Sequence, residues 1–171
     1  MKYSNIKYLD HSNGTGLRTS LFVSGCNRHC PGCFNPETWD FNYGNEFTDD
    51  VKEQILRSLA PNHISGLSVL GGEPFEWENQ MSLLFFLSDV KYYYPEKTIW
   101  IFTGYTFEEL LLKARYSVIT SGLLHTIDVL KDGSYVAEQH ISGNQFYGSS
   151  NQRLIDIPAS FRSGKTILWT K

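Results

Sequence analysis

"TSLFVSGCNRHCPGCFN", residues 19–35, joins a short β-branched and aromatic run to a loop holding all three cysteines of the 171-residue chain. Residues 19–23 are too few for a helix and are bounded by Ser24-Gly25, which suits a buried strand. Such a strand delivers its carboxyl end directly to Cys26, Cys30 and Cys33. Outward from this stretch the same unit recurs. "FTDDVKEQILRSLA" puts Val51, Ile55 and Leu59 on one helical face, with Asp49 and Asp50 in the first turn and Thr48 as its cap. "LSVL" (67–70) reads as a second strand, broken by Gly71-Gly72-Glu73-Pro74. Residues 79–94 are apolar around most of a helical circumference, with Pro95 after them. "TIWIF" (98–102) is a third strand ending at Thr103-Gly104-Tyr105, and Thr106 and Glu109 then have capping-box spacing ahead of Leu110. "TIDVL" (126–130) is a fourth strand, ending at Lys131-Asp132-Gly133, and "TILW" near the end offers one more.

Strands alternating with helices imply right-handed βαβ crossovers, a mainly parallel sheet and an α/β fold, here a single domain over residues 1–171. Working residues in such folds gather at the carboxyl ends of the strands. Here those ends are "SGC", "GGEP", "TGYT" and "KDG", so the thiols and the glycine turn are expected on one rim.

The formal net charge is −3 with the basic residues scattered, which lacks the basic stripe of a nucleic-acid binder. The first residues have no apolar signal core, and no apolar stretch is long enough to span a bilayer, so a cytoplasmic protein without a membrane partner is expected. In a reducing compartment three clustered thiols point to a metal or redox site rather than a disulfide. Two further motifs are discounted. "NGT" (13–15) has no secretory context, and "GKT" (164–166) lacks the glycine that a phosphate loop requires at Ala159.

C-x3-C-x2-C in a loop with glycine and proline can converge on one soft metal centre. Three ligands on a four-iron cluster leave one iron open to an exogenous molecule, an arrangement that serves catalysis better than electron carriage. Zinc with His29 as fourth ligand is the competing metal reading, but C-x2-H-C-x2-C is not a usual finger spacing and His29 is adjacent to Cys30. Packing of the thiols as small hydrophobes conflicts with Asn27, Arg28, His29 and Pro31 around them. Gly71 and Gly72 would let backbone approach a ligand closely, or else form an ordinary strand-ending turn.

"CNRHCPGC" with "GGEP" resembles the radical S-adenosylmethionine (SAM) superfamily. "GTGLRTSLFVSGC", "CFNPETWD", "LSVLGGEPF", "FTGYTFEEL", "IDVLKDG" and "GSSNQR" extend the resemblance, over most of the chain, to the activases of anaerobic (class III) ribonucleoside-triphosphate reductase. The resemblance implies a partial, open βα barrel of radical SAM type with mainly parallel strands. It implies a [4Fe–4S] cluster on Cys26, Cys30 and Cys33, and S-adenosyl-L-methionine contacted by Gly32, Phe34, Gly71, Gly72, Glu73 and Thr103, with no catalytic side chain beyond cluster and cofactor. The implied reaction is reductive cleavage of SAM to methionine and a 5′-deoxyadenosyl radical, which takes hydrogen from a glycine of the reductase large subunit. An external one-electron donor such as flavodoxin is the implied second partner.

Two departures accompany the likeness. Gly32 stands before the third cysteine, where many superfamily members place an aromatic residue, so adenine contact is assigned to Gly32 and Phe34 together. Asn13-Gly14-Thr15-Gly16 stands where activases often show an Asp and a Pro. Glu73 has two roles open to it, accepting from the cofactor's ammonium or holding the turn. Tyr105, Asp128 and Lys131 are further candidates near the rim, and "GSSNQR" reads as a partner-facing loop or a polar turn. The alternatives are an activase of another glycyl-radical enzyme, a small radical SAM enzyme acting on a metabolite and, more distantly, a zinc-binding or electron-carrier module. A short chain without a fourth cysteine favours a minimal activator whose open side admits a protein loop.

Overall fold

A computed structural model describes residues 1–143 and 146–170. In chain order the elements are β1 (Lys2–Asp10), β2 (Leu17–Val23), β3 (Asn45–Glu46), α1 (Asp49–Leu59), β4 (Ile64–Gly71), α2 (Trp77–Tyr93), β5 (Thr98–Phe102), α3 (Phe107–Ala114), α4 (Val118–His125), β6 (Val129–Asp132), β7 (Arg153–Asp156) and α5 (Ile157–Ser163). The sheet order is β3-β1-β2-β4-β5-β6-β7. Its centre, β2-β4-β5-β6, is parallel, and β1 and β7 flank it antiparallel. The fold is thus α/β with a parallel central sheet that does not close on itself.

Residue alternation along each strand separates two faces. Leu21, Val23, Leu67, Val69, Ile99, Ile101 and Leu130 face the helices and pack with Ile55, Leu83, Phe86, Leu87, Leu110 and Leu123 in the main core. The cap expected at Thr48 forms, with its side chain accepting from the Val51 N–H. Thr106 and Glu109 form a full capping box at the start of α3.

Among the described residues, no α-helix contributes to the opposite face, which is filled differently at its two ends. At the amino-terminal end of the parallel strands Arg18 is fully buried. It donates to Ser68 Oγ (2.8 Å), Thr98 Oγ1 (2.9 Å) and the carbonyls of Leu67 (2.9 Å) and Thr98 (2.7 Å). Its guanidinium lies over Trp100, 5.3 Å from the ring centre. Beside it Asp10 accepts from Ser20 Oγ and Asn13 Nδ2, both at 2.6 Å. This polar plug, together with Trp100, Val129, Phe146 and Leu154, leaves the carboxyl-terminal end of the face as an open cavity.

Three expectations change. The fourth strand starts at Val129 rather than Thr126, because Thr126 ends α4 and Asp128 is occupied between elements, accepting from the Ile99 N–H and Lys91 Nζ, both at 2.6 Å. Asp128 therefore lies at the end of the sheet away from the cysteine rim. "TILW" contributes only an isolated bridge between Leu168 and Ile155, since Gly164, in the left-handed conformation, ends α5 just before it. β1, β7 and α4 had no counterpart in the sequence reading. Among the described residues, no helix is long and apolar enough to cross a membrane.

Candidate active site

β2 and β4 end side by side, and their turns are bonded backbone to backbone. The Gly72 N–H donates to Val23 O (2.8 Å) and the Glu73 N–H to Gly25 O (2.9 Å). A Cβ on Gly71, whose φ is +108°, would stand 2.7 Å from Val23 O, and one on Gly72 would stand 2.6 Å from Gly25 O. Glycine is therefore required here first for the meeting of the two turns, before any ligand is considered. The cysteine loop then returns on itself, with Gly25 N donating to Thr38 O (2.8 Å), Cys26 N to Trp39 O (3.2 Å) and Cys33 N to Cys30 O (3.1 Å).

Cys26 is buried, Cys30 and Cys33 are partly buried, and all three are free thiols. They line one cavity of about 500 Å³ together with Gly71, Gly72, Glu73, Thr103 and Phe34. Burial pushes the Cys26 thiol up to about 11, so a soft metal binding there must displace a proton. Among the described residues, no three His, Cys, Asp or Glu side chains close around a single ion position. The His29 ring instead lies against Trp39, tilted by 40° with the centres 4.6 Å apart.

Three side chains tie the loop to neighbouring strand ends. Glu76 accepts from the Asn27 N–H (2.9 Å) and Asn27 Nδ2 (3.0 Å). Arg28 donates from Nε (3.2 Å) and Nη2 (2.5 Å) to Ser134 Oγ, which in turn donates to Gly104 O (2.9 Å). The Arg28 guanidinium also lies 4.6 Å from the centre of the Tyr105 ring. Glu73 is buried, and its carboxylate accepts from the Phe75 N–H (2.9 Å), Thr103 Oγ1 (2.7 Å) and the Gly104 N–H (2.8 Å). Burial raises the Glu73 carboxyl to about 7. Of its two open roles, the one these contacts serve is holding the glycine turn against the loop after β5.

The remaining candidates divide. Phe34 is 74% exposed at the cavity mouth and rests against Tyr135. Gly32, with φ +73°, turns the loop beside Tyr135, outside the cavity lining. Tyr105 is held by Arg28 on the outer side of the loop, also outside this lining. Lys131 does line the cavity, its ammonium 5.2 Å from the centre of the Phe102 ring, and burial lowers it to about 8. "GSSNQR" folds back onto the end of β6. Gln152 Nε2 donates to Gly133 O (2.9 Å), Asn151 Nδ2 to Ser134 O (2.8 Å), and the Gly148 N–H to Gln152 Oε1 (2.8 Å).

Lys7, Ser12, Asn13, Phe146, Tyr147 and Gly148 complete the wall. Asn13 and Gly148 belong to stretches the sequence already singled out, Asn13-Gly14-Thr15-Gly16 and "GSSNQR", whereas Lys7, Ser12, Phe146 and Tyr147 carried no local signal.

The 4Fe-4S single cluster domain family matches residues 12–155. Over 154 residues the chain is 38% identical to the anaerobic ribonucleoside-triphosphate reductase-activating protein of Vibrio cholerae, covering 89% of this chain and 96% of that one. The protein of the same name from Haemophilus influenzae is 39% identical with the same coverage. That of bacteriophage T4 is 36% identical over 155 residues, 90% of this chain and 93% of its own.

Proposed function

The chain belongs to the family of anaerobic ribonucleoside-triphosphate reductase-activating proteins, and on that premise we propose that it installs the glycyl radical of an anaerobic ribonucleotide reductase by radical SAM chemistry. The relatives' name makes it an activating enzyme, and the family match gives it a 4Fe-4S domain. SAM as the second cofactor, the glycine as hydrogen donor and a flavodoxin-like electron donor are the further content of the proposal. When bound, the reduced cluster supplies one electron to the SAM sulfonium, so that methionine leaves and the 5′-deoxyadenosyl radical takes hydrogen from glycine.

The chain's own residues have three tasks. Cys26, Cys30 and Cys33 would hold the [4Fe–4S] cluster, three thiolates that would leave one iron open to the cofactor. Gly71 and Gly72, already free of side chains where the turns meet, let the methionine end lie close to backbone, and Thr103 and Phe34 bound the rest of the cofactor. Lys7, Ser12 and Asn13 share the cavity lining with Tyr147 and Gly148, and this open cavity is where an extended glycine-bearing segment can reach the cofactor. An open sheet with its cavity on the helix-free face is the form expected of a radical SAM partial barrel.

The observation that carries this reading is the presence of all three thiols and both turn glycines in one cavity wall. Incubating the reduced, SAM-loaded protein with anaerobic ribonucleotide reductase should yield a glycyl radical by electron paramagnetic resonance. SAM cleavage without that signal would assign the enzyme a different hydrogen donor.

A further inference from the structure

We propose that the indole N–H of Trp39 donates a hydrogen bond to a sulfur of the iron–sulfur cluster and thereby raises the cluster's readiness to accept an electron. This rests on the cluster assigned above to Cys26, Cys30 and Cys33. Among the described residues, two buried side-chain polar atoms have no hydrogen-bond partner, Ser24 Oγ and Trp39 Nε1, and they bracket the cysteine loop. Buried polar atoms are nearly always paired, and an orphan calls for an absent water, ion or group. Indole nitrogen can only donate, so what it lacks is an acceptor. Trp39 lines the cavity with the three thiols, whereas Ser24 does not.

The indole has little freedom to turn away. Its backbone carbonyl accepts from Cys26 N (3.2 Å). The short 3-10 turn that carries it, Pro36–Trp39, is pinned by Thr38 Oγ1 donating to Asn35 O (2.7 Å). His29, from within the cysteine loop, covers the ring. The ring as a whole is only partly buried, yet Nε1 itself is shielded from solvent. A shielded N–H on a residue that shares its cavity wall with three thiols has a cluster held by those thiols as the acceptor it lacks. Donation to sulfide or thiolate stabilises the more negative, reduced cluster, which raises the potential.

The test uses the whole protein, reconstituted anaerobically with iron and sulfide. Trp39→Phe keeps an aromatic ring against His29 and removes the donor. It should leave iron content unchanged while shifting the reduction equilibrium roughly tenfold toward the oxidised cluster, about 59 mV for a one-electron couple. A second measurement needs no variant. With 15N-indole labelling, the reduced wild-type cluster should show nitrogen hyperfine coupling in pulsed electron–nuclear resonance. Trp39 is the tryptophan in the cavity wall. If Trp39→Phe loses its cluster, the wild-type coupling alone decides. An unchanged potential in an iron-replete variant, or a wild-type cluster without nitrogen coupling, overturns the inference and leaves the activase reading intact. A wild-type chain that assembles no iron–sulfur cluster overturns both.

Discussion

Thr103 Oγ1 donates a 2.7 Å hydrogen bond to the buried carboxylate of Glu73, joining the turn after β4 to the loop after β5 across 30 residues of chain. Through this bond, and through Glu73 N donating to Gly25 O, the carboxyl ends of β2, β4 and β5 become one unit around the thiols. Its weak point is the carboxylate, which is held out of water.

That burial makes stability depend on pH. Glu73 ionises near 4.5 when exposed and near 7 in the folded chain, so between these values the folded state binds more protons than the unfolded state. Its contribution is fully present below about 4.5 and is lost as pH rises to about 7. The difference amounts to about 3 kcal/mol at most. Glu73→Gln should remove this dependence, so denaturant titrations of the metal-free protein should show the variant gaining on the wild type by roughly that amount between pH 4.5 and 8. A constant difference across the range would show that Glu73 ionises normally in the fold.

Gly72→Ala should force the two turns apart, because the new Cβ meets the Gly25 carbonyl at 2.6 Å. Overpacking of this kind costs about 1–3 kcal/mol. Thermal unfolding should register that loss, and equilibrium dialysis should find weaker SAM binding. Gly143→Ala, where nothing lies within 4 Å of the added atom, should not affect SAM binding.

Arg28→Gln removes the cation that spans Ser134 and Tyr105. Charge-assisted hydrogen bonds contribute about 1.5–3 kcal/mol, so iron loss to a chelator should be roughly tenfold faster than from the wild type. Equal rates would mean that the brace does not restrain the loop.

Serine at Cys26, Cys30 or Cys33 should each lower reconstituted iron from about four atoms per chain and abolish SAM cleavage. Full activity in any one variant would remove that cysteine from the cluster.

The parallel centre of the sheet was legible because its signals are local. Apolar runs such as "TIWIF", capping residues such as Thr106 and Glu109, and glycine breaks such as Gly71-Gly72 act within a few residues of chain. The same holds for the thiols, whose spacing in one loop is covalent information. β1 was missed because a strand covered on its outer side only by the two-residue β3, with Lys7, Tyr8 and Leu9 exposed, carries no strong apolar alternation. α4 was missed because β-branched residues and Gly122 weaken its helical pattern, its support coming from Gln80 accepting from Thr120 Oγ1 (2.7 Å) and from contacts with α2.

The sequence by itself determined which thiols are clustered and which strands carry the loops to a common rim, since cysteine spacing and hydrophobic period are written in neighbouring residues. Tertiary structure alone decided what surrounds that centre. It turned Glu73 into a buried tie, placed Asp128 at the far end of the sheet, brought Lys7 and Tyr147 into one cavity wall, and left the Trp39 N–H without an acceptor. These outcomes depend on contacts between residues far apart in the chain, where burial and hydrogen-bond pairing are fixed only once the strands have met.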